Sequence, residues 1–153
     1  AYTGLKEFRA PIRPGKSEVI YGGSKIALLA VGSMVKMAEE VRELLKERMG
    51  IDAALVNARF VKPIDEELLC SLTDDYDLVV TMEENVKDGG FGERVLSFAE
   101  EKELPFGVEI VALPDRFIPH GSVSYQMKQV GFTVEDICGR IEEYYRKREQ
   151  EKR

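Results

Sequence analysis

The residues Ile26-Ala27-Leu28-Leu29-Ala30-Val31 form an unbroken apolar run between Gly22-Gly23 and Gly32-Ser33. A strand with one face in water alternates apolar and polar side chains. A continuous run of strand length belongs instead to a strand covered on both faces, as in a parallel sheet held between helical layers. The neighbouring segments agree. Val35, Ala38, Val41, Leu44, Leu45 and Met49 recur at three- and four-residue steps, which predicts a helix capped by Ser33 and closed by Gly50. Ala53 to Val56 reads as a second strand. Pro63 is expected to open a second helix, with Asp65, Glu66 and Glu67 in its first turn and Ile64, Leu68, Leu69 and Leu72 on its buried stripe. Asp77 to Met82 predicts a third strand, Glu93 to Lys102 a third helix with Val95, Leu96 and Ala99 inward, and Val108 to Leu113 a fourth strand. A short helix follows over Ser124 to Val130. Thr133 then caps a last helix whose apolar face is Val134, Ile137, Cys138, Ile141, Tyr144 and Tyr145.

Strands and helices alternating at this spacing make an α/β fold: a three-layer α/β/α arrangement around a mostly parallel sheet of about five strands. Residues 1–24 read as a linker and an edge strand at Glu18 to Tyr21, residues 25–145 as the domain, and residues 146–153 as a polar tail that frays. A length of 153 residues allows one ordinary domain. The formal net charge of −6 leaves no uniform basic field for nucleic acid or an anionic membrane. No apolar run approaches the roughly 18 residues that span a bilayer, and residues 1–16 lack a signal-peptide pattern, so a cytoplasmic protein is expected. The chain starts at Ala1 rather than Met and is expected to be processed or cut from something longer. Cys70 and Cys138 lie far apart with no nearby His, which predicts reduced, buried, structural thiols.

Ligands in open parallel sheets gather at the carboxyl ends of strands. After the third strand comes Glu83-Glu84-Asn85-Val86-Lys87-Asp88-Gly89-Gly90-Phe91-Gly92. A glycine-rich turn into a helix start can bind phosphate through free N–H groups. The Gly-Lys-Ser/Thr ending of a P-loop is missing here, and Val95 stands where a dinucleotide fingerprint wants a third small residue, so a tight, closely packed turn is the simpler reading. Glu83 and Glu84 are adjacent. On a strand they point to opposite faces and cannot serve one substrate as a carboxylate pair, so one of them is expected to accept a hydrogen bond or ion pair at an interface. After the fourth strand, Leu113-Pro114-Asp115-Arg116-Phe117-Ile118-Pro119-His120-Gly121-Ser122 holds the single histidine. Ser122 sits in no nucleophile elbow, so a hydrolase triad is disfavoured, and a rigid loop meeting another domain is preferred. The acidic Asp74-Asp75-Tyr76-Asp77 lacks the downstream residues of a calcium loop.

Four blocks in order carry a resemblance: Ala30-Val31-Gly32-Ser33-Met34; Ala58-Arg59-Phe60-Val61-Lys62-Pro63-Ile64-Asp65; Thr81-Met82-Glu83-Glu84-Asn85 with Gly89-Gly90-Phe91-Gly92; and Leu113 to Ser122. Together they resemble the C-terminal domain of the 1-deoxy-D-xylulose-5-phosphate synthase family, thiamine-diphosphate enzymes of the transketolase superfamily. The resemblance covers about residues 19–145. Asn57 stands where the family pattern leads one to expect Asp, and the first 18 residues align with nothing in it.

The family joins pyruvate to glyceraldehyde 3-phosphate with loss of carbon dioxide, in homodimers that use thiamine diphosphate and usually Mg²⁺. The resemblance implies that the Gly-Asp-Gly and distant Asn of the diphosphate–metal motif lie in the first of three domains and the Glu that activates the cofactor in the second. This sequence contains no Gly-Asp-Gly. The chain is therefore expected to be a fragment that folds, binds no cofactor or metal itself, and does not turn over substrate. Its partners are expected to be the remaining two domains of the same enzyme and a second subunit. The loops expected to face them carry Glu83, Glu84, Asn85, Gly89, Gly90, Phe91 and Gly92, and Asp115, Arg116, Phe117 and His120. Two alternatives stay open: the corresponding domain of a transketolase or 2-oxoacid dehydrogenase beta subunit, and an independent anion- or nucleotide-binding module.

Overall fold

Alternate residues of the apolar run face opposite layers. In the computed structural model, which describes residues 11–151, Ile26, Leu28 and Ala30 enter one hydrophobic core and Ala27 and Leu29 enter a second. The strands are β1 (Glu18–Tyr21), β2 (Lys25–Ala30), β3 (Ala54–Asn57), β4 (Tyr76–Val86) and β5 (Gly107–Leu113). The helices are α1 (Met34–Met49), α2 (Glu66–Ser71), α3 (Phe91–Glu101), α4 (Val123–Gln129) and α5 (Val134–Glu151). The sheet order is β1-β3-β2-β4-β5, with β1 antiparallel to β3 and the other neighbours parallel. The first core packs α1 and α5 on the sheet through Val41, Leu45, Ile137 and Ile141, and the second packs α2 and α3 through Leu69, Phe91, Val95 and Phe98. The three-layer expectation holds, and β1 is the edge strand at the expected residues. Part of the linker expected ahead of it, residues 1–10, lies outside the described residues. None of the described helices is long and apolar enough to cross a membrane.

The helix ends show where local chemistry overrules a first reading. Gly50 closes α1 in the left-handed region (φ 67°), its N–H bonded to the Lys46 carbonyl at 3.0 Å. Pro63 does not open α2. The helix starts at Glu66 behind Asp65, whose carboxylate accepts the Leu68 N–H at 3.2 Å, and the Lys62–Pro63 bond is cis. Asp65 also accepts the Ser17 N–H at 2.8 Å and pairs with Lys16 at 3.3 Å, tying the approach to β1 onto α2. Thr133 and Asp136 form the reciprocal cap of α5, with the Asp136 carboxylate 2.6 Å from the Thr133 hydroxyl and the Asp136 N–H 3.2 Å from the same oxygen.

The fraying expected from residue 146 is not found, since α5 runs on to Glu151. Arg148 lies over the Tyr144 ring at 5.6 Å and donates to its hydroxyl at 3.0 Å, while Lys147 pairs with Glu143 at 3.0 Å. The Tyr144 and Tyr145 hydroxyls donate to the carbonyls of Asp77 and Lys25, both at 3.2 Å, pinning α5 to the amino-terminal edge of the sheet. Cys138 is buried and burial pushes its thiol up to about 11. Cys70 is exposed, contrary to expectation, because the short α2 turns only Leu69 fully inward. Both sheet edges are irregular or covered. The β1–β3 register slips between Val19 and Tyr21, and at the far edge Arg140 donates to the Ile110 carbonyl at 2.7 Å and pairs with Glu109.

Leu28 is 0% exposed at the centre of the sheet, whereas Val19 on the edge strand is 51% exposed. Leu28→Ala should cost about 2–5 kcal/mol and Val19→Ala no more than about 0.5 kcal/mol, read as urea midpoints of the two variants. Burial of the Asp65 carboxyl acts to raise its pKa, but the Ser17 and Leu68 N–H groups and the Lys16 ammonium outweigh it and hold the group below its ordinary 3.8. A depressed folded-state value means stability that is present above 3.8 and lost as pH falls through the lower folded value. Asp65→Asn should therefore flatten that part of the acid limb in unfolding curves taken from about pH 5 to pH 2.

Candidate functional site

Four parallel strands deliver four loops to one edge of the sheet, where β2 and β4 lie side by side and their connections depart in opposite directions. The strand expected to stop at Met82 continues to Val86, so Glu83, Glu84 and Asn85 are strand residues rather than loop. The extension has a partner. Val86 pairs with Leu113 across a local irregularity, and the Lys87 N–H reaches the Leu113 carbonyl at 3.1 Å.

Strand alternation sends the two carboxylates to opposite layers, as expected. Glu83 is 4% exposed. Its Oε2 accepts the Phe91 N–H at 2.9 Å and its Oε1 the Gly92 N–H at 2.8 Å, both at the start of α3. The N–H groups that a phosphate would need are thus engaged from within the chain, and Glu83 needs no acceptor role at an external interface. Glu84, on the other face, accepts the Ser33 hydroxyl at the start of α1. Ser33 was expected to cap α1 itself, but it lies in the helical region and makes no side-chain cap. Sequence reading missed this pair because it spans β2 and β4, and the strand order that makes them neighbours is not written in local periodicity.

The glycines of this turn are sized to the carboxylate and the sheet. A Cβ on Gly90 would sit 2.6 and 2.8 Å from the two Glu83 oxygens, and one on Gly92 2.5 Å from both Ile110 Cγ2 and Thr81 Oγ1. Gly89 takes a left-handed φ of 74°, and its N–H donates to Glu93 at 2.7 Å. Of the residues expected to face partners here, Glu84, Asn85 and Gly89 are exposed, while Glu83, Gly90, Phe91 and Gly92 are buried.

The segment after β5 is different in kind. Asp115, Arg116, Phe117 and His120 are all exposed. Phe117 is 87% exposed, and Val123 and Tyr125 in the next helix are 69% and 49% exposed. The backbone beneath them is nonetheless held. Arg116 donates to the Gln129 carbonyl at 3.3 Å, Gln126 to the Pro119 carbonyl at 3.1 Å, and Ser122 accepts the Tyr125 N–H at 3.3 Å as the α4 cap. Ser122 meets Ser124 and Tyr125 rather than His120, so no triad is assembled. In the loop after β3, Asn57 Oδ1 accepts the Arg59 N–H at 3.1 Å and Arg59 pairs with Glu18 at 2.7 Å. That role asks only for an acceptor oxygen, which Asn supplies as well as the expected Asp would.

Among known proteins, the family model described as "Transketolase, C-terminal domain" matches residues 15–137. A 1-deoxy-D-xylulose-5-phosphate synthase of Lachnoclostridium phytofermentans is 44% identical over 143 residues, which is 92% of this chain and 23% of that protein. Its counterpart in Heliobacterium modesticaldum is 41% identical over 88% of this chain and 21% of that protein. The chain thus spans about a fifth of the length of these curated relatives. Among solved structures, a split-gene transketolase described as an inactive beta4 tetramer superposes with a TM-score of 0.79 at 30% identity, over 91% of this chain and 46% of that one. A Pichia stipitis transketolase superposes at 0.57 with 19% identity, over 84% of this chain and 18% of that one, and shares the fold.

Gly92→Ala should cost about 1–3 kcal/mol through overpacking against Ile110 and Thr81. Ser33→Ala, which removes one exposed hydrogen bond, should cost about 0.5 kcal/mol. Equilibrium unfolding in denaturant ranks the two, and the reverse order would contradict the close approach of α3 to the sheet.

Proposed function

The chain belongs to the transketolase C-terminal domain family, and on that premise we propose that it serves as the C-terminal domain of a 1-deoxy-D-xylulose-5-phosphate synthase, the name its relatives at 41–44% identity carry. The complete enzyme condenses pyruvate with glyceraldehyde 3-phosphate with loss of carbon dioxide, in the cytoplasm and as a homodimer. This domain's part is structural: it buries interdomain and intersubunit surface and holds the catalytic domains in register. The observation that carries the reading is the β5–α4 segment. Phe117, Val123 and Tyr125 present apolar surface on a backbone already braced by its own hydrogen bonds, which is the form of a docking face rather than a loose loop. Glu84, Asn85, Gly89, Asp115, Arg116 and His120 supply polar surface along the same edge.

Thiamine diphosphate and Mg²⁺ supply the carbanion and charge-neutralising chemistry of the complete enzyme. The described residues do not fit that group. No three of their His, Cys, Asp and Glu side chains converge where a metal ion could be held, and the N–H groups at the start of α3 already carry Glu83. The cofactor and metal belong to the other domains, and no catalytic residue is assigned here. The same occupied helix start weighs against an independent nucleotide-binding module, and the Asp115-Arg116-Phe117-Ile118-Pro119-His120-Gly121 block weighs against a transketolase or a 2-oxoacid dehydrogenase beta subunit.

The chain incubated with thiamine diphosphate, Mg²⁺, pyruvate and glyceraldehyde 3-phosphate should give no pentulose phosphate above background. Mixed with the remaining two domains, it should associate and restore turnover. Phe117→Ala with Tyr125→Ala should weaken that association at least about tenfold while leaving the thermal midpoint of the isolated chain unchanged, because both side chains are exposed. Product formation by the chain alone, or association indifferent to both substitutions, would overturn the proposal.

A further inference from the structure

A second braced apolar patch stands at the other end of the sheet edge that carries the β5–α4 segment. Glu18 pairs with Asn57, so the turn leading into β1 and the loop leaving β3 meet at the carboxyl edge, and β1 and β5 are the two outer strands. The turn is closed by the Lys16 N–H, which donates to the Arg13 carbonyl at 3.1 Å, with Gly15 following Pro14 at a left-handed φ of 71°. It is pressed onto the loop. A Cβ on Gly15 would sit 2.9 Å from Pro63 Cγ, the Ser17 hydroxyl donates to the Ala58 carbonyl at 3.3 Å, and Lys16 pairs with Glu67 at 2.6 Å. The loop itself is set, because Arg59 holds a left-handed φ of 57°, which a residue bearing a side chain keeps only where its surroundings impose it. On this fixed backbone Ile12 is 65% and Val61 46% exposed, and Pro14 and Pro63 are exposed as well. Their sequence neighbours Arg13 and Lys62 are exposed cations, and none of the ion pairs among the described residues includes either.

We propose that this turn and loop form a second docking surface, taken by the domain that precedes this one in the complete enzyme, through a face with an apolar centre and a carboxylate rim. The inference rests on the reading of the chain as the C-terminal domain of a longer enzyme. A single exposed apolar side chain is ordinary. Here Ile12 and Val61 stand on two segments already fastened to each other, so docking orders little backbone that is still free. Arg13 and Lys62 make a local positive field on a chain whose formal net charge is −6, and the matching carboxylates come from the partner. The occupant is the preceding domain because it is joined on the amino-terminal side of this same turn, which holds it beside the patch at high effective concentration. The β5–α4 face lies along the same edge, so one partner surface laid on that edge reaches both patches.

The test uses the complete enzyme carrying this domain, with the photo-crosslinker p-benzoylphenylalanine placed at Val61 or, in a parallel sample, at Phe117. Mass spectrometry of the linked peptides should join position 61 to the preceding domain of the same chain, at a segment rich in carboxylates. Arg13→Gln with Lys62→Gln should lower the yield at position 61 severalfold and leave the yield at position 117 unchanged. The same pair of substitutions should leave the thermal midpoint of the 153-residue chain where it was, since both side chains are exposed. Links from position 61 to a second copy of this domain, or no links from it while position 117 links to another domain, would overturn this surface and leave the C-terminal-domain reading standing. Undiminished yield after both cations are removed would overturn the charge matching. If neither position links outside its own domain, the reading and the inference built on it fall together.

Discussion

The pleat of a single strand organises this molecule. Because successive side chains of β4 point to opposite faces, the adjacent Glu83 and Glu84 reach different helical layers, one receiving the N–H groups of α3 and the other the hydroxyl that leads into α1. Both helices begin at the carboxyl edge of the sheet, where the first N–H groups of α3 rest on Glu83 and those of α1 turn back onto the Val31 and Gly32 carbonyls. One dipeptide thus fixes the entry of a helix on each side of the same strand. Asp65 caps α2, Ser122 caps α4 and Thr133 with Asp136 caps α5, so with Glu83 on α3 four of the five helix starts carry a side-chain oxygen on their N–H groups.

The layers were legible because burial imposes a period. A six-residue apolar run bounded by glycines fits a strand covered twice, and the three- and four-residue steps of Val35, Ala38, Val41 and Leu45 fit one helix face. What local pattern could not supply was pairing. Glu83, Glu84 and Asn85 look like loop because they are polar, yet Leu113 stands opposite Val86 and the strand continues. Arg146 to Arg148 looks like a frayed tail, yet the Tyr144 ring gives Arg148 a surface to lie on. Pro63 has the residue type of a helix opener, but Asp65 has the carboxylate that the first turn needs and is placed to use it.

Candidate site residues divide by the same logic. The glycine-rich turn was visible as a glycine-rich turn, but whether its donors were free depended on a carboxylate eight and nine residues upstream in the chain, folded back onto them. The Asp115 to His120 loop was visible as a rigid segment, and the structure adds that its apolar partners Val123 and Tyr125 come from the following helix. Their exposure was not evident from sequence, which marks only a short helix over Ser124 to Val130 and assigns it no face.

Copies of this chain are poorly suited to joining strand to strand. β1 is short, charged at Glu18 and slipped in register, so it offers no flat row of amides and carbonyls for another backbone to zip onto. The opposite rim is plugged where the Arg140 guanidinium sits on the Ile110 carbonyl. Among the described residues, extension of the sheet from copy to copy is thus disfavoured at both rims. Where two copies meet, side chains across their faces and loops, rather than paired backbones, are then the means of contact.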